Sequence, residues 1–390
     1  MKYNFDNIVE RRGTDCLKWD FVKERFGAFD LLPMWVADMD FLAPEEVIRA
    51  IEKRLEHGVL GYTGRGKSYY ESIINWVLKR HGWKIETEWI QNNPGVVSSL
   101  AISILAFTNP GDKILIQTPV YPPFFRVIES NGREIVKSSL IASDCGYEMD
   151  FDDIEKKFQS GVKMMLLCNP HNPIGRVFTS NELLRLGELC RKYNVMVVSD
   201  EIHSDIIFEN NKHVPIASLS KEFADFTVTC IAPSKTFNVA GLSASIAIIP
   251  NKTLMERFTN TMLGLGIDGS NLIGGVALEA CYSYGEEWLE ELLRYLKENR
   301  DFVLEFVESR IPQIKVVKSQ GTYLMWLDCR GLGMENAKLN KFMIEKAKVA
   351  LNDGSTFGEE GKGFLRLNIG CPRSILEQGL ERIENAIKKK

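Results

Sequence analysis

The chain has 390 residues, 45% of them hydrophobic and 26% charged, which suits a large domain plus a smaller one and leaves no compositional case for disorder. Its formal net charge of -4 and the lack of any basic block beyond Lys388, Lys389 and Lys390 speak against nucleic acid or a membrane surface as partner. The eight cysteines (Cys16, Cys145, Cys168, Cys190, Cys230, Cys281, Cys329, Cys371) form no C-x-x-C pair and lack histidines at zinc-ligand spacing. They read as reduced core thiols, and no metal site is expected.

In chain order, the polar start from Met1 to Asp6 holds no secretory apolar segment, so a cytoplasmic location is expected. The uncharged run from Trp89 to Gly111 is interrupted by Pro94 and Pro110, and what lies between falls short of the ~20 residues that span a bilayer. A buried helix is the reading there. From about residue 90 to 250, apolar helical stretches alternate with short β-rich runs, a βαβ rhythm. The runs Lys113 to Gln117, Met164 to Cys168, Val195 to Ser199 and Val228 to Ile231 are almost continuously apolar, as strands of one mostly parallel sheet covered on both faces must be.

Each of these runs is followed by a distinctive segment: Thr118-Pro-Val-Tyr121, Asn169-Pro-His-Asn172, Asp200-Glu-Ile-His203 and Ala232-Pro-Ser-Lys235. In open parallel sheets the ligand crevice lies at the carboxyl edge, where these four loops would converge. Past residue 285 the pattern changes to a charged amphipathic helix from Glu286 to about Arg310, then strands at Gly321 to Asp328 and Phe364 to Ile369, then a final helix to Lys390. This predicts a second, α+β domain, with the residues up to about 48 docked on it.

Lys235 lies between a buried strand and the turn at Ala240, Gly241 and Leu242. Desolvation there would lower its pKa toward that of a Schiff-base nucleophile, where a lone surface lysine is the plainer alternative. Asp200 ends an apolar strand, a costly place for a carboxylate without a cationic partner. It reads either as a helix N-cap or as the partner of a protonated pyridine nitrogen. Arg366 alternates with Leu365 and Leu367 on a strand and reads either as solvent-facing or as a bidentate clamp for a carboxylate. The G-x-G-x-x-G at Gly264, Gly266 and Gly269 follows a helical pattern rather than a strand and is not read as a dinucleotide site. His203 lacks a second histidine at helical zinc spacing.

Together with Pro33 to Phe41 and Gly61-Tyr-Thr63, the loops above, Ser199 to His203, Ser234 to Asn238 and Leu367 to Arg373 resemble the class I/II aminotransferase superfamily of fold-type I. Within it the combination is similar to the MalY/PatB-type cystathionine β-lyases, or C-S lyases. The resemblance implies an α/β fold-type I pyridoxal 5'-phosphate-dependent transferase architecture. A large domain, 49–286, would carry a mostly parallel seven-stranded sheet between helices, and a small α+β domain would combine 1–48 with 287–390.

It also implies residue roles. Lys235 would bind the cofactor covalently and act as base, Asp200 would hold the pyridine nitrogen, Asn172 the phenolic oxygen, and Tyr121 would stack on the ring. Val96 and Val97, at the start of a helix opened by Gly95, would bind phosphate together with Ser234 and with Tyr62, a catalytic contributor arriving from the other subunit of a homodimer. Arg366 would clamp the carboxylate of a small amino-acid substrate, with Trp35, Val36 and Asn172 beside it and the Tyr323 region adding specificity.

His203 would contact the cofactor where aminotransferases commonly have Tyr. Ser243 stands where they often have Arg, and Ala232 where they usually have a hydroxyl, so the phosphate cup is less cationic. These departures favour β-elimination from cystathionine or a related S-substituted cysteine, with an aminotransferase as the alternative and a catalytically silent binding or regulatory protein as a third reading.

Overall fold

The computed structural model describes residues 2–143 and 146–390. Cys145 lies outside them, and the other cysteines are free thiols, buried except for Cys16.

Seven strands form the larger sheet, in the spatial order Ile90–Asn93, Ser245–Ile248, Thr227–Ile231, Met196–Asp200, Val162–Cys168, Lys113–Thr118 and Glu134–Ser139. Ser245–Ile248 runs antiparallel to both of its neighbours, and the remaining pairings are parallel. The four apolar runs of the sequence are its central members. Their side chains alternate between two buried clusters: Ile114, Ile116, Met164 and Leu166 pack on one face with Leu100 and Phe258, and Leu115, Met165 and Leu167 on the other with Ile154 and Leu186. Burial on both faces is why these strands read as unbroken apolar runs.

The helix expected between Pro94 and Pro110 is Val96–Phe107, packed against Lys252–Gly264. The glycine motif begins at that second helix's last residue. Gly266 and Gly269 then turn with φ of 74° and 70°, so the motif is a loop after a helix.

A four-stranded antiparallel sheet, Lys315–Val317, Leu324–Asp328, Phe364–Asn368 and Asn352–Asp353 in spatial order, forms the smaller part. Its central strand starts at Leu324 rather than Gly321 because Thr322 takes φ of 66°, which breaks extended pairing. Glu286–Arg310 and Arg373–Lys388 are the two long helices expected, the second stopping two residues before the terminal Lys390. The N-terminal segment joins this part: Leu32–Pro33 pairs in parallel with Val349–Ala350, and Phe5 packs against Phe41 and Trp288. Helix Glu45–Glu56 carries the chain across the expected boundary at residue 49, and Glu286–Arg310 begins where the other expected boundary falls. One apolar cluster runs from Ile73 and Leu278 through Leu296 to Leu365 and Leu380, so the smaller sheet shares its core with helices of the larger part.

Candidate active site

The carboxyl ends of the central strands open into a cavity of about 190 Å³ lined by Val96, Val97, Tyr121, Asn172, Asp200, His203, Ser234 and Lys235, together with Cys168 and Ser243. Loops distant in sequence meet here because parallel strands all end on the same sheet edge. Asp200 sits in register with Cys168 on one side and Cys230 on the other.

Lys235 Nζ donates to the Ala37 carbonyl at 2.6 Å. Burial pulls its pKa down to about 8, with Arg366 pushing the same way and Asp38 and Asp200 opposing. The sign follows directly. Between about 8 and the ordinary 10.5 the unfolded chain holds a proton that the folded chain has released, so stability rises with pH across that window and the folded amine is uncharged above about 8. After cofactor removal, imine formation with added pyridoxal phosphate is therefore expected to speed up with pH to about 8 and then level off, where an ordinary lysine would keep gaining toward 10.5. Stopped-flow absorbance across a pH series checks this.

Asp200 is pushed the other way, to about 7, by burial and the neighbouring Glu201 charge, against the Ile202 amide and Lys235. Its hydrogen bond among the described residues comes from the Ile202 amide to Oδ1 at 3.1 Å. A buried carboxylate with so little support calls for a proton-bearing partner in the cavity. The helix N-cap alternative falls away, since Asp200 ends its strand and no helix starts after it before residue 216. His203 is buried, its Nδ1 lacks a hydrogen-bond partner among the described residues, and its ring meets Tyr323 edge-on at 5.8 Å. Burial depresses it to about 3, aided by the charges of Lys235 and Arg366, so it is a neutral imidazole at working pH.

Arg366 is buried rather than solvent-facing. Nη1 donates to Asn172 Oδ1 at 3.0 Å, and Nη2 to Asn352 Oδ1 at 2.7 Å and to the Trp35 carbonyl at 2.8 Å. Among the described residues it makes no salt bridge, and its Nε is buried without a partner. A desolvated guanidinium without a counter-ion is expensive unless an anionic ligand supplies one.

Trp35 reaches this site through its carbonyl alone. Its indole packs with Val22, Leu31 and Phe26 and donates from Nε1 to the Lys18 carbonyl, which corrects the expectation of a side-chain contact with substrate. Val36 likewise presents its carbonyl, to Asn368 Nδ2, which also donates to Asp38 O. The Ala37 carbonyl accepts from the Tyr323 hydroxyl at 2.8 Å as well as from Lys235. The Ala37 carbonyl, Asp38 and Asn368 are members of this region that the sequence reasoning missed. Backbone carbonyls leave no side-chain signal, although Asn368 stands inside a quoted motif. Tyr62 is wholly exposed on this chain and contributes nothing to its cavity.

The cavity fits pyridoxal phosphate in its donor chemistry. The first intrahelical bond of Val96–Phe107 is from the Ser99 amide to Gly95 O, so the amides of Val96, Val97 and Ser98 are free for an anion at the helix start. Lys235 offers the amine, Asp200 the acceptor for a ring N–H, and Tyr121 an aromatic face. Ser243 lines the cup where an arginine would add charge.

This constellation on this sheet is that of a pyridoxal phosphate-type transferase fold, and the chain belongs to the Aminotransferase class I and II family, whose profile matches residues 30–383. It is 46% identical over 385 residues to cystathionine beta-lyase PatB of Bacillus subtilis (strain 168), covering 98% of this chain and 100% of the other. Cystalysin from Treponema denticola, whose crystal structure contains pyridoxal 5'-phosphate, matches with a TM-score of 0.97 at 38% identity over 100% of both chains. The pyridoxal phosphate-bound C-S lyase from Staphylococcus hominis matches with a TM-score of 0.92 at 35% identity, covering 99% of this chain and 98% of that one.

Proposed function

We propose that the protein is a pyridoxal 5'-phosphate-dependent carbon-sulfur β-lyase that converts cystathionine or a related S-substituted L-cysteine to thiol, pyruvate and ammonia. The observation that carries this reading is the buried Lys235 amine, its pKa lowered by burial, in a cavity it shares with Asp200. Similarity to named β-lyases over nearly the whole chain supports it.

When bound, the cofactor supplies an electron sink for the pair left behind at the substrate's Cα. Lys235 Nζ takes the Cα proton. Asp200 keeps the ring nitrogen protonated, Asn172 orients the ring through its amide, and Tyr121 fixes the ring plane. Arg366 holds the α-carboxylate, which leaves the sulfur substituent free to depart as a thiolate. A thiol has an ordinary pKa near 8.5 and leaves with little help from an acid, which suits a site whose histidine is neutral.

The assay that decides between lyase and aminotransferase supplies a cysteine thioether and no keto acid. Pyruvate and free thiol in equal amounts over many turnovers are the expected result, and a requirement for a keto-acid co-substrate overturns the reading.

The active form in this reading is a homodimer, cytoplasmic in keeping with its buried free thiols. Val59, Leu60 and Tyr62 stand exposed on one loop, with Leu263 and Leu265 exposed elsewhere. Beside the phosphate cup, and sharing Pro94, Ser243 and Ala244 with it, lies a hollow of about 270 Å³. Tyr62 of the partner subunit would reach the cofactor phosphate through that side.

A further inference from the structure

Behind the cavity lies a set of buried ionisable groups that the chemistry above leaves unused. Glu201 follows Asp200 in sequence but does not line the cavity. Its carboxylate accepts from Ser199 Oγ at 2.8 Å and faces His213 Nε2 at 2.7 Å, and both residues are almost wholly buried. His213 Nδ1, by contrast, has no hydrogen-bond partner among the described residues.

An imidazolium, or a protonated Glu201 donating to Nε2, would in either case leave a buried Nδ1–H unsatisfied. The neutral tautomer with its hydrogen on Nε2 leaves only a bare lone pair. The Glu201 carboxylate is thus placed against Ser199 Oγ and His213 Nε2. The other groups facing this region do not cancel that charge. His81 meets the His213 ring edge-on at 5.2 Å, but its Nε2 faces Asp205 Oδ1 at 3.4 Å, and Arg80 Nε lies 3.8 Å from the same oxygen. Around Asp200 itself stand Lys235, Tyr121, Cys168 and Cys230.

From this geometry we infer that Glu201 and His213 are positioning residues for the cofactor ring. The Glu201 charge makes Asp200 a stronger proton acceptor and so keeps the proton on the ring nitrogen, while the His213 Nε2–H keeps that charge in place. The inference rests on the pyridoxal phosphate reading of the cavity. The direction of the Asp200 shift, to which Glu201 contributes, agrees with it.

The test uses holoenzyme loaded with pyridoxal phosphate labelled with 15N in the ring, followed by NMR and by steady-state kinetics against pH. In the native protein the ring nitrogen is expected to stay protonated across the working range. Glu201→Gln removes the charge and keeps the shape. His213→Leu removes the donor that faces the buried Glu201 carboxylate. Both variants are expected to lose the ring proton at lower pH than native, and to lose about tenfold in kcat with KM nearly unchanged, the equivalent of about one pKa unit at Asp200. His213→Gln, whose amide can donate from the place of Nε2, is expected to restore native behaviour.

Superimposable 15N shifts and pH profiles in native, Glu201→Gln and His213→Leu proteins would overturn the inference, even if the variants melt at lower temperature. A loss in His213→Gln as large as in His213→Leu removes His213 from it. Native protein that binds no pyridoxal phosphate sinks the reading of the cavity as well, whereas loaded native protein with unaltered variants sinks this inference alone.

Discussion

Lys235→Ala is expected to lower turnover on the order of 10⁴-fold, because in the proposed mechanism one side chain serves as both covalent anchor and proton carrier. Arg366 is a cation whose charge acts on Lys235, but a guanidinium stays protonated at working pH. Borohydride reduction of native protein followed by peptide mapping should place a reduced pyridoxyl adduct on residue 235, and the variant should carry none. The same variant tests the shared site. Mixed and reassembled with an equally impaired Tyr62→Ala protein, it should regain activity, since a heterodimer holds one site with Lys235 and Tyr62 both intact. Additive inactivity of the mixture would confine each site to a single chain.

Arg366→Lys is the second large effect, expected to cost about 10²-fold in kcat/KM. The guanidinium engages Asn172, Asn352 and the Trp35 carbonyl while its Nε points at no protein acceptor. An ammonium can neither reproduce that fork nor offer a carboxylate two parallel donors. Losing one charge-assisted hydrogen bond and stranding its buried acceptors amounts to roughly 3 kcal/mol, or about 10² in rate. The measurement compares kcat/KM for a cysteine thioether in the two proteins, and a change of less than threefold would remove Arg366 from the substrate site.

The central sheet was legible in the sequence because burial on both faces demands unbroken apolar runs, and the residues after those runs supplied the site. The peripheral strands were not. Glu134–Ser139 is an edge strand whose residues are mostly exposed or half-buried, and Ile90–Asn93 ends in Gln-Asn-Asn, so neither carries an apolar pattern. The antiparallel direction of Ser245–Ile248 likewise has no local signature, since a fully buried four-residue strand reads the same either way.

Lys235 and Asp200 stood out by type and position and Asn172 and Tyr121 through the family resemblance, and all four line one cavity. Trp35 was expected beside the substrate from the family resemblance alone, and its indole fills a core instead. The Glu201, His213, His81 and Asp205 group was invisible for another reason. Its members come from a helix end at residue 81 and from the loops after residue 200, and only the fold brings them together.

The carbonyls of residues 35 to 38 bear on affinity. In the resting protein they already engage Lys235, Arg366, Asn368 and Tyr323. An arriving amino acid thus competes for donors that are in use, and what it gains is the difference between a charged acceptor and a neutral one, about 1 kcal/mol per hydrogen bond. Ground-state association stays loose while the donors are oriented in advance, so attraction accumulates as the reaction climbs its barrier. Weak ground-state association is then the expected result, with turnover rising in proportion to added amino-acid substrate over a wide concentration range.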